Sequence, residues 1–475
     1  MKPKISLVFM HREKGVGTWP RLDFDYDKRR EELTQEIRKS CPDVDFVPFV
    51  VTNIEEAEKV IERADEFDGF LIYLIGLSWN APAIVKIGKP TVLVKDLYGG
   101  AGEFLFTLSW AKQRGLPVIG IPPSDIAYAL KLFKVIKRLK ESKVIIITPM
   151  DSPEKYLKEL SSQLGRKDAE HYKELFGTDR YGSSGESFDI QKQIERIKKI
   201  FGVEVIRMSY EELNGYYDSV SERDAESLAN ELIGEADGVV EPTRDEIVKS
   251  ARMHLGMKKA LEEKGADAIT IDCYRQWHRM RAYPCIGFFK LANEGLTAVC
   301  QADLSSTITH LLLRYLTEEM TGEPRPGFTN DPVIDIYANR MIYAHCTASN
   351  RVFGPKGPKN PYVIRSHAES RKGVAVQSIM PTGEDITAAQ THFMRDPPLI
   401  VMHTGRAVAN EGMEDGCRTK LVAEVNTKKI VENWNKDGGW IYPAHWHRVV
   451  VYGNWRRALI DLATLMGMKA VEEDE

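Results

Sequence analysis

Short apolar runs alternate with amphipathic stretches along the first 142 residues. The runs KISLVFM, VDFVPFV, GFLIYLI, PTVLVKD and LPVIGIP have the β-branched and aromatic content of buried strands. Between them, stretches such as IEEAEKVIERA place apolar residues at helical spacing. Strands that alternate with helices favour a parallel sheet with helices on its faces. We therefore predict an N-terminal α/β domain over residues 1–142, closed by a long helix at DIAYALKLFKVIKRLKESK.

The same alternation continues from residue 143 to about residue 320. KVIIITPM opens this part, and GVEVIRMSY, GADAITIDCY and LTAVCQADL are its later strand candidates. Helical patterns such as EIVKSARMHLGMKKALEEKG connect them. Residues 165–189 are polar and contain Gly and Ser, which predicts an insertion or a long loop. A second α/β domain over residues 143–320 is expected.

The pattern changes after residue 320. The turn-rich segment EPRPGFTNDP is followed by runs with a period of two, among them YVIRSHAES, GVAVQSI, PLIVMHTGRAVA, KLVAEVN and HRVVVYG. Such alternation, interrupted by turn signals, is typical of antiparallel, barrel-like structure. We predict a C-terminal β-rich domain over residues 321–475, which ends with the amphipathic helix WRRALIDLATLMGM.

Length, charge and cysteine usage narrow the class of protein. A single core rarely exceeds about 250–300 residues, so a chain of 475 residues should form two or three domains. A net charge of −4 provides no basic field for nucleic acid. The apolar runs are too short for a membrane span or a signal peptide. The six cysteines form no CxxC pair, which argues against a zinc ribbon or a disulfide scaffold and favours a reducing cytoplasm.

The segment VCQADLSSTITHLLLRYL is the first candidate for chemistry. An apolar strand leads into Gln301 and Asp303, and a helical pattern leaves from there. In α/β proteins such junctions commonly carry binding and catalytic groups. If the strand persists past Gln301, both side chains face the same side. The alternative is that Asp303 only caps the helix, because Asp is a preferred N-cap residue.

Three further segments carry metal-ligating residue types in the second half of the chain. FTNDPVID contains Asp331, YAHCTAS contains His345, and YPAHWHRVVVYG contains His445 and His447. Oxygen ligands with one imidazole suit a hard or borderline divalent ion such as Mn²⁺ or Mg²⁺. Each residue also has an ordinary structural interpretation. Asp331 before Pro332 is a common turn signature, and a histidine pair in a strand can be purely structural.

Taken in this order, the segments resemble the L-fucose/L-arabinose isomerase superfamily, and L-fucose isomerases most. The similarity extends over nearly the whole chain, and its most specific part is HRVVVYGNWRRALIDLATLMGM, where the family carries a metal-binding histidine. The resemblance implies His447 rather than His445 as that ligand. NDPV resembles the segment of the second ligand, which implies Asp331. The CRT segment at 417–419 and the AHCT segment at His345 also resemble recurring elements of the family.

The resemblance implies two Rossmann-like α/β domains followed by a C-terminal domain that contains a β-barrel. It implies a homo-trimer or homo-hexamer, with the site between the second and third domains and capped by a neighbour's first domain. It also implies Mn²⁺-dependent interconversion of an aldose and a ketose through an ene-diol, with Mg²⁺ or Co²⁺ as other possible ions. The expected sugar is a hexose, a deoxyhexose or a modified sugar. The expected substrate contacts are His345, Thr347, His367 and a neighbour's Trp79.

The loop YRQWHRMRAYP supplies basic and aromatic side chains close to these segments. Arg275 or Arg279 would suit an anionic sugar, such as a sulfonated or phosphorylated one. This expectation rests on charge alone. The alternative is an ordinary solvated loop.

Gln301 departs from the family pattern, in which a glutamate at this position is both a metal ligand and an acid–base group. A glutamine still offers a carbonyl oxygen to a metal, but it cannot accept a proton from carbon. We therefore expect Gln301, Asp331 and His447 to hold the metal, and Asp303 and Asp331 to share the acid–base work. The alternatives are a non-catalytic sugar-binding or regulatory relative, and a sugar epimerase.

Overall fold

The computed structural model describes residues 2–16, 20–149, 189–274, 276–436 and 447–475, together with Lys158 and Lys167. The predicted insertion at 165–189 lies outside these residues except for Lys167 and Asp189, as do His445 and Arg275. The chain forms two compact units, Met1–Arg138 with Arg457–Ala470, and Leu139–Arg456 with Val471–Glu475. The domain boundaries at 142 and 320 remain predictions.

The first unit contains a five-stranded parallel sheet in the order β2-β1-β3-β4-β5. The strands coincide with the five apolar runs, and most of β1 and all of β3 are buried, so the predicted Rossmann-like arrangement is confirmed. The strands are β1 Lys4–Met10, β2 Asp45–Val51, β3 Gly69–Leu74, β4 Thr91–Lys95 and β5 Val118–Ile121. The helices are α1 Tyr26–Ser40, α2 Ile54–Glu62, α3 Ala81–Val85, α4 Ala101–Gln113 and α5 Ile126–Glu141.

The second unit contains its own parallel sheet, in the order β10-β9-β6-β7. The strands are β6 Lys143–Ile147, β7 Glu204–Arg207, β9 Ala268–Ile271 and β10 Thr297–Cys300, and β8 Gly238–Val239 pairs elsewhere. The helices are α6 Ile190–Phe201, α7 Tyr210–Asp218, α8 Glu222–Glu235, α9 Arg244–Lys264, α10 Cys285–Asn293 and α11 Leu304–Thr321. Apolar side chains from α7, α9 and α10 pack on the sheet. This confirms the second parallel α/β region.

A closed antiparallel β-barrel follows in the same unit. Six strands run in the order β15-β18-β11-β12-β17-β16, and pairing between β15 and β16 closes the ring, which confirms the predicted barrel. Its strands are β11 Phe328–Asp335, β12 Arg340–His345, β15 Asp385–His392, β16 Leu399–Asn410, β17 Thr419–Glu424 and β18 Arg448–Tyr452. The remaining elements are β13 Tyr362–Arg365, β14 Ala375–Ser378, α12 Thr427–Trp434, α13 Arg456–Leu465 and β19 Lys469–Glu472.

A buried ionic cluster anchors β18. Arg448, the first residue of this strand, is 1 % exposed and donates two hydrogen bonds to the fully buried carboxylate of Glu473. His403 and Trp434 also contact that carboxylate, at 2.9 and 3.2 Å. Arg448 additionally donates to the backbone oxygen of His447, at 3.0 Å. The cluster therefore fixes the start of β18, directly beside a candidate metal ligand.

None of the helices in the described ranges combines the length and the apolar character that crossing a bilayer requires.

Candidate active site

Three side chains that can bind a metal converge on neighbouring barrel strands. Asp331 lies on β11 and pairs with Ala344 of β12, so it is next to His345 at the end of that strand. On its other side, β11 pairs with β18 through Asn330 and Arg448, which brings His447 alongside. One ligand atom from each of Asp331, His345 and His447 lies within 4.8 Å of the others. Antiparallel register therefore assembles the cluster.

His447 is held between two carboxylates. Its Nδ1 lies 2.9 Å from Oδ2 of Asp303, and its Nε2 lies 3.4 Å from Oδ1 of Asp331. Burial alone would lower the pKa of His447, but the hydrogen bonds and charges of both carboxylates outweigh it and raise the pKa to about 9. The ring of His345 lies edge-on to that of His447, with centroids 5.8 Å apart, and burial lowers the pKa of His345 to about 4.

Gln301 reaches the cluster from a turn. Strand β10 ends at Cys300, and Gln301 and Ala302 both adopt left-handed backbone conformations, with φ of 63° and 52°. The premise that the strand persists past Gln301 is therefore wrong. The Gln301 side-chain nitrogen lies 3.4 Å from Nε2 of His345, and rotation of the amide would present its oxygen at the same place. The turn thus brings a neutral oxygen ligand to the edge of the metal cluster.

Asp303 is both a helix cap and a member of the site. Its carboxylate accepts hydrogen bonds from the backbone N–H and the hydroxyl of Ser306, at 2.9 and 2.6 Å, and thereby caps α11. The capping interpretation is confirmed. The oxygen that accepts from the Ser306 hydroxyl also contacts His447. We therefore expect Asp303 mainly to orient the His447 ring, because a carboxylate that contacts the other ring nitrogen of a ligand histidine holds that ring in place.

Asp303→Asn is expected to lower turnover by about 10–100-fold while leaving folding nearly unchanged. Asparagine caps helices as well as aspartate does, but it provides no charge for the Nδ1–H of His447. Steady-state kinetics and thermal unfolding would check this. Asp189→Asn is the matched control, because Asp189 caps α6 in the same way and accepts from the backbone N–H of Lys192. Full turnover in Asp303→Asn would contradict the positioning role.

Of the predicted substrate contacts, Thr347 and His367 belong to the unit that contains the barrel, and Trp79 belongs to the first unit. Thr347 lies just past His345 and is half-buried. His367 lies in the turn after β13, with its ring 5.7 Å from that of Tyr283. Trp79 belongs to the other unit, where it is 48 % exposed and contacts the ring of Phe106 edge-on. The contact of Trp79 with a neighbour's site stays a prediction.

The basic-aromatic loop after β9 contributes a stacked pair of rings. Trp277 stacks on Tyr283 at 6.1 Å with an interplanar angle of 14°, and the ammonium of Lys372 lies 4.9 Å over the Trp277 ring. Arg279 lies 5.9 Å over the ring of Tyr210, and so it is engaged elsewhere. Among the described residues, Lys372 is a cation that packs against this loop, and charge counting along the sequence did not single it out.

Sequence reasoning also missed Glu369. Its side chain is half exposed and lies 3.9 Å from Nε2 of His367. Burial, together with the charge of Asp331, raises the pKa of the Glu369 carboxyl. No motif marks this residue, because its position depends on a turn between two short strands.

The donor set fits a divalent ion of borderline hardness. Asp331 supplies a carboxylate, His345 and His447 supply imidazoles, and Gln301 adds an amide oxygen after rotation. Such mixed nitrogen and oxygen ligands suit Mn²⁺, Co²⁺ or Fe²⁺ better than Mg²⁺, which prefers oxygen alone. The sequence suggested one imidazole in the cluster, and the structure brings two. His345, expected to bind substrate, is placed among the metal-binding candidates.

Comparison with known proteins shows similarity to sugar isomerases. The family model of the L-arabinose isomerase central domain matches residues 192–318, a segment that includes Gln301 and Asp303. The chain is also similar to proteins named sulfoquinovose isomerase from Priestia aryabhattai and Priestia megaterium, each 22% identical over 277 residues. The match covers 58% of this chain and 59% of each relative. These similarities support the L-arabinose/L-fucose isomerase superfamily and do not single out L-fucose isomerases.

Proposed function

We propose that this protein is a metal-dependent aldose–ketose isomerase that acts on a hexose carrying an anionic group. The observation that carries the proposal is the convergence of Asp331, His345 and His447 beside Gln301, in a chain similar to sugar isomerases. The carboxylate of Asp331 and the two imidazoles lie at adjacent strands, and the Asp331 side chain is partly exposed. This arrangement is suited to holding an ion that substrate can still reach.

The residues of the site would have three roles: metal binding, orientation of a ligand and proton transfer. Asp331, His345 and His447 would hold a divalent ion, preferably Mn²⁺, with Gln301 as a further oxygen ligand. When bound, such an ion polarises neighbouring oxygens of a sugar and acidifies the hydrogen on the carbon between them. Asp303 holds the His447 ring in place through its 2.9 Å contact. The ene-diol route also needs a carboxylate that accepts the carbon-bound proton, for which Asp331 and Asp303 are the candidates from sequence.

An anionic sugar is supported by three observations. The similar Priestia proteins are named for sulfoquinovose, a sulfonated sugar. In this chain, Lys372 lies over the Trp277 ring, which pairs a cation with an aromatic face. Burial lowers the pKa of the neighbouring His367, and the positive charge of the buried Arg418 guanidinium lowers it further. Aromatic faces suit the apolar side of a sugar ring, and the cations suit its charged substituent.

A homo-trimer or homo-hexamer is part of the same proposal, as is a cytoplasmic location. Trp79, Leu97, Tyr98, Leu105 and Phe106 of the first unit are all about half exposed or more. Trp79 and Phe106 contact each other, and exposed apolar side chains that lie together commonly mark contacts between chains. Light scattering coupled to gel filtration would give the number of chains in solution.

The test is proton exchange followed by NMR. The purified protein, loaded with Mn²⁺, would be incubated in D₂O with sulfoquinovose, glucose 6-phosphate, D-glucose, L-fucose or L-arabinose. Formation of a ketose with loss of the C2 proton, fastest for an anionic sugar and absent after EDTA treatment, is the expected result. Exchange without ketose would point to an epimerase. Binding of a sugar, detected by thermal shift, without any exchange would support the non-catalytic alternative that Gln301 favours.

A further inference from the structure

The proposed reaction needs a carboxylate whose oxygens are available to the substrate. Gln301 cannot accept a proton, and Asp303 already accepts hydrogen bonds from Ser306 and contacts His447. Asp331 contributes an oxygen to the metal cluster and lies 3.4 Å from Nε2 of His447. In the described part of the chain, Glu369 is a further carboxylate of this region: it lies 3.9 Å from Nε2 of His367, its side chain is half exposed, and the charge of Asp331 acts on it.

A compact turn, residues 366–373, holds Glu369 in place. The backbone N–H of His367 donates to the carbonyl of Lys372 at 3.1 Å, and the N–H of Arg371 donates to the carbonyl of His367 at 2.8 Å. The Ser370 hydroxyl lies 3.1 Å from Nδ1 of His367. Glu369 therefore sits at the middle of a closed turn, with its backbone constrained on both sides.

The turn is locked against the loop after β9. The hydroxyl of Tyr283 donates to Ser370 at 3.1 Å. Gly373 has a φ of +59°, and a Cβ at this position would lie 2.3 Å from the Tyr283 ring. Only glycine fits so close to the ring in this conformation. The aromatic loop and the turn consequently form one surface.

The same turn contacts the residue that follows His345, a candidate metal ligand at the end of β12. Ala368 packs in an apolar cluster with Cys346 and Cys417, and its backbone N–H is hydrogen-bonded to the Cys346 thiol. Cys346 directly follows His345 in the chain. Glu369 follows Ala368 in the chain, and the charge of Asp331 contributes to raising the pKa of the Glu369 carboxyl, so the two carboxylates belong to the same region of the fold.

We propose that Glu369 is the acid–base residue that moves the substrate proton between C2 and C1. This inference rests on the proposed isomerase function and names a group that the sequence did not reveal. A carboxylate beside an ion-binding cluster, on an ordered turn and open to solvent on one side, has the access that the step requires.

The step balances without any other reactant. The Glu369 carboxylate takes the C2 hydrogen as a proton, the electron pair of the broken C2–H bond forms the C1=C2 double bond, and the C1=O π pair moves to O1. The O2 hydroxyl proton passes to O1. The ene-diol then collapses: an O2 electron pair forms C2=O, and the C1=C2 pair takes the proton back from Glu369 at C1. Overall, the C2–H and O2–H bonds are broken, and new C1–H and O1–H bonds are formed.

The experiment compares Glu369→Gln with wild type and with Glu384→Gln, an exposed glutamate in the turn before β15. Glu369→Gln is expected to lower kcat by about 10²–10⁴-fold, the usual contribution of a general acid–base group, and to stop C2 exchange in D₂O. Its affinity for Mn²⁺ alone and its thermal unfolding should match wild type. Glu384→Gln should keep wild-type turnover.

Glu369→Asp supplies a second readout that a merely structural role would not change. The shorter carboxylate should still fold and turn over, but with a lower kcat than wild type and a larger deuterium isotope effect on kcat with sugar labelled at C2. An isotope effect equal to that of wild type would count against the proposal. So would wild-type kcat in Glu369→Gln, or turnover in that variant that excess Mn²⁺ restores.

Failure of this inference differs from failure of the isomerase proposal. If wild type converts an aldose and Glu369→Gln does so at a similar rate, Glu369 is not the base but the isomerase proposal stands. If wild type with Mn²⁺ exchanges no C2 proton in any of the five sugars, both proposals fall.

Discussion

Asp331→Asn is expected to remove most of the proposed Mn²⁺ affinity and, with it, the proposed isomerase activity. Because position 301 carries a glutamine, Asp331 is the one carboxylate among Asp331, His345, His447 and Gln301. Without it the protein ligands are all neutral, whereas affinity for divalent ions depends strongly on ligand charge. The loss should exceed the roughly 10–100-fold loss typical of changes to the outer partners of a metal ligand. Titration of the metal-free protein with Mn²⁺, followed calorimetrically, would measure it.

Asp335→Asn is the matched control, since Asp335 lies on the same strand but caps the following turn by accepting from the backbone N–H of Ala338. Its Mn²⁺ affinity should equal that of wild type. The converse substitution, Gln301→Glu, adds a carboxylate beside His345 and is expected to tighten Mn²⁺ binding. Wild-type affinity in Asp331→Asn would exclude this residue as a ligand.

Glu473→Ala is expected to destabilise the second unit by about 3–5 kcal/mol, the usual cost of leaving a buried charge without its partner. Arg448 is 1 % exposed and loses both of its hydrogen bonds to the Glu473 carboxylate. His403 and Trp434 lose the same acceptor. Urea denaturation, followed by tryptophan fluorescence and far-UV circular dichroism, would give the change in free energy of unfolding.

Glu472→Ala provides the comparison for this experiment. Glu472 is a neighbour in the chain, but its ion pair with Arg456 is partly exposed. Pairs of this kind contribute about 0–1 kcal/mol. Similar effects of the two substitutions would show that burial of the Arg448–Glu473 pair does not govern the stability of the barrel.

The fold follows closely from the sequence pattern. Apolar runs of four to seven residues separated by helical spacing produced both parallel sheets, because local alternation of this kind admits few other arrangements. After residue 320, the runs PLIVMHTGRAVA, KLVAEVN and HRVVVYG form barrel strands, whereas YVIRSHAES and GVAVQSI form β13 and β14, which pair with β8 in a separate three-stranded sheet. Which strand closes the ring was beyond reach, because pairing of β15 with β16 and with β18 depends on contacts distant in the chain.

The site was only partly predictable. Asp331 and His447 could be singled out by their segments, and the structure brings them together. Contact between Asp303 and His447 joins residues 144 positions apart, and no local pattern reports such a distance. The same is true of Glu369, whose position depends on the packing of Ala368 against Cys346.

The junction after β10 shows a different kind of error. Glycine is the usual sign in a sequence that the backbone adopts a positive φ. Gln301 and Ala302 adopt a positive φ although neither is a glycine. An apolar run that ends in Gln-Ala-Asp therefore appeared to continue as a strand. The error mattered because alternation would have placed Gln301 and Asp303 in equivalent roles, whereas one is beside His345 and the other holds His447.

The left-handed backbone at Gln301 also bears on how the charge of this site can change. This conformation costs a non-glycine residue roughly 1–2 kcal/mol, a cost set by the backbone and Cβ. Glutamine and glutamate are identical there and differ only at the end of the side chain. Selection can therefore exchange an amide for a carboxylate at this position with little consequence for folding. A neutral side chain leaves one negative charge fewer to repel the proposed anionic sugar, so the charge of the site can change in evolution separately from the architecture that surrounds it.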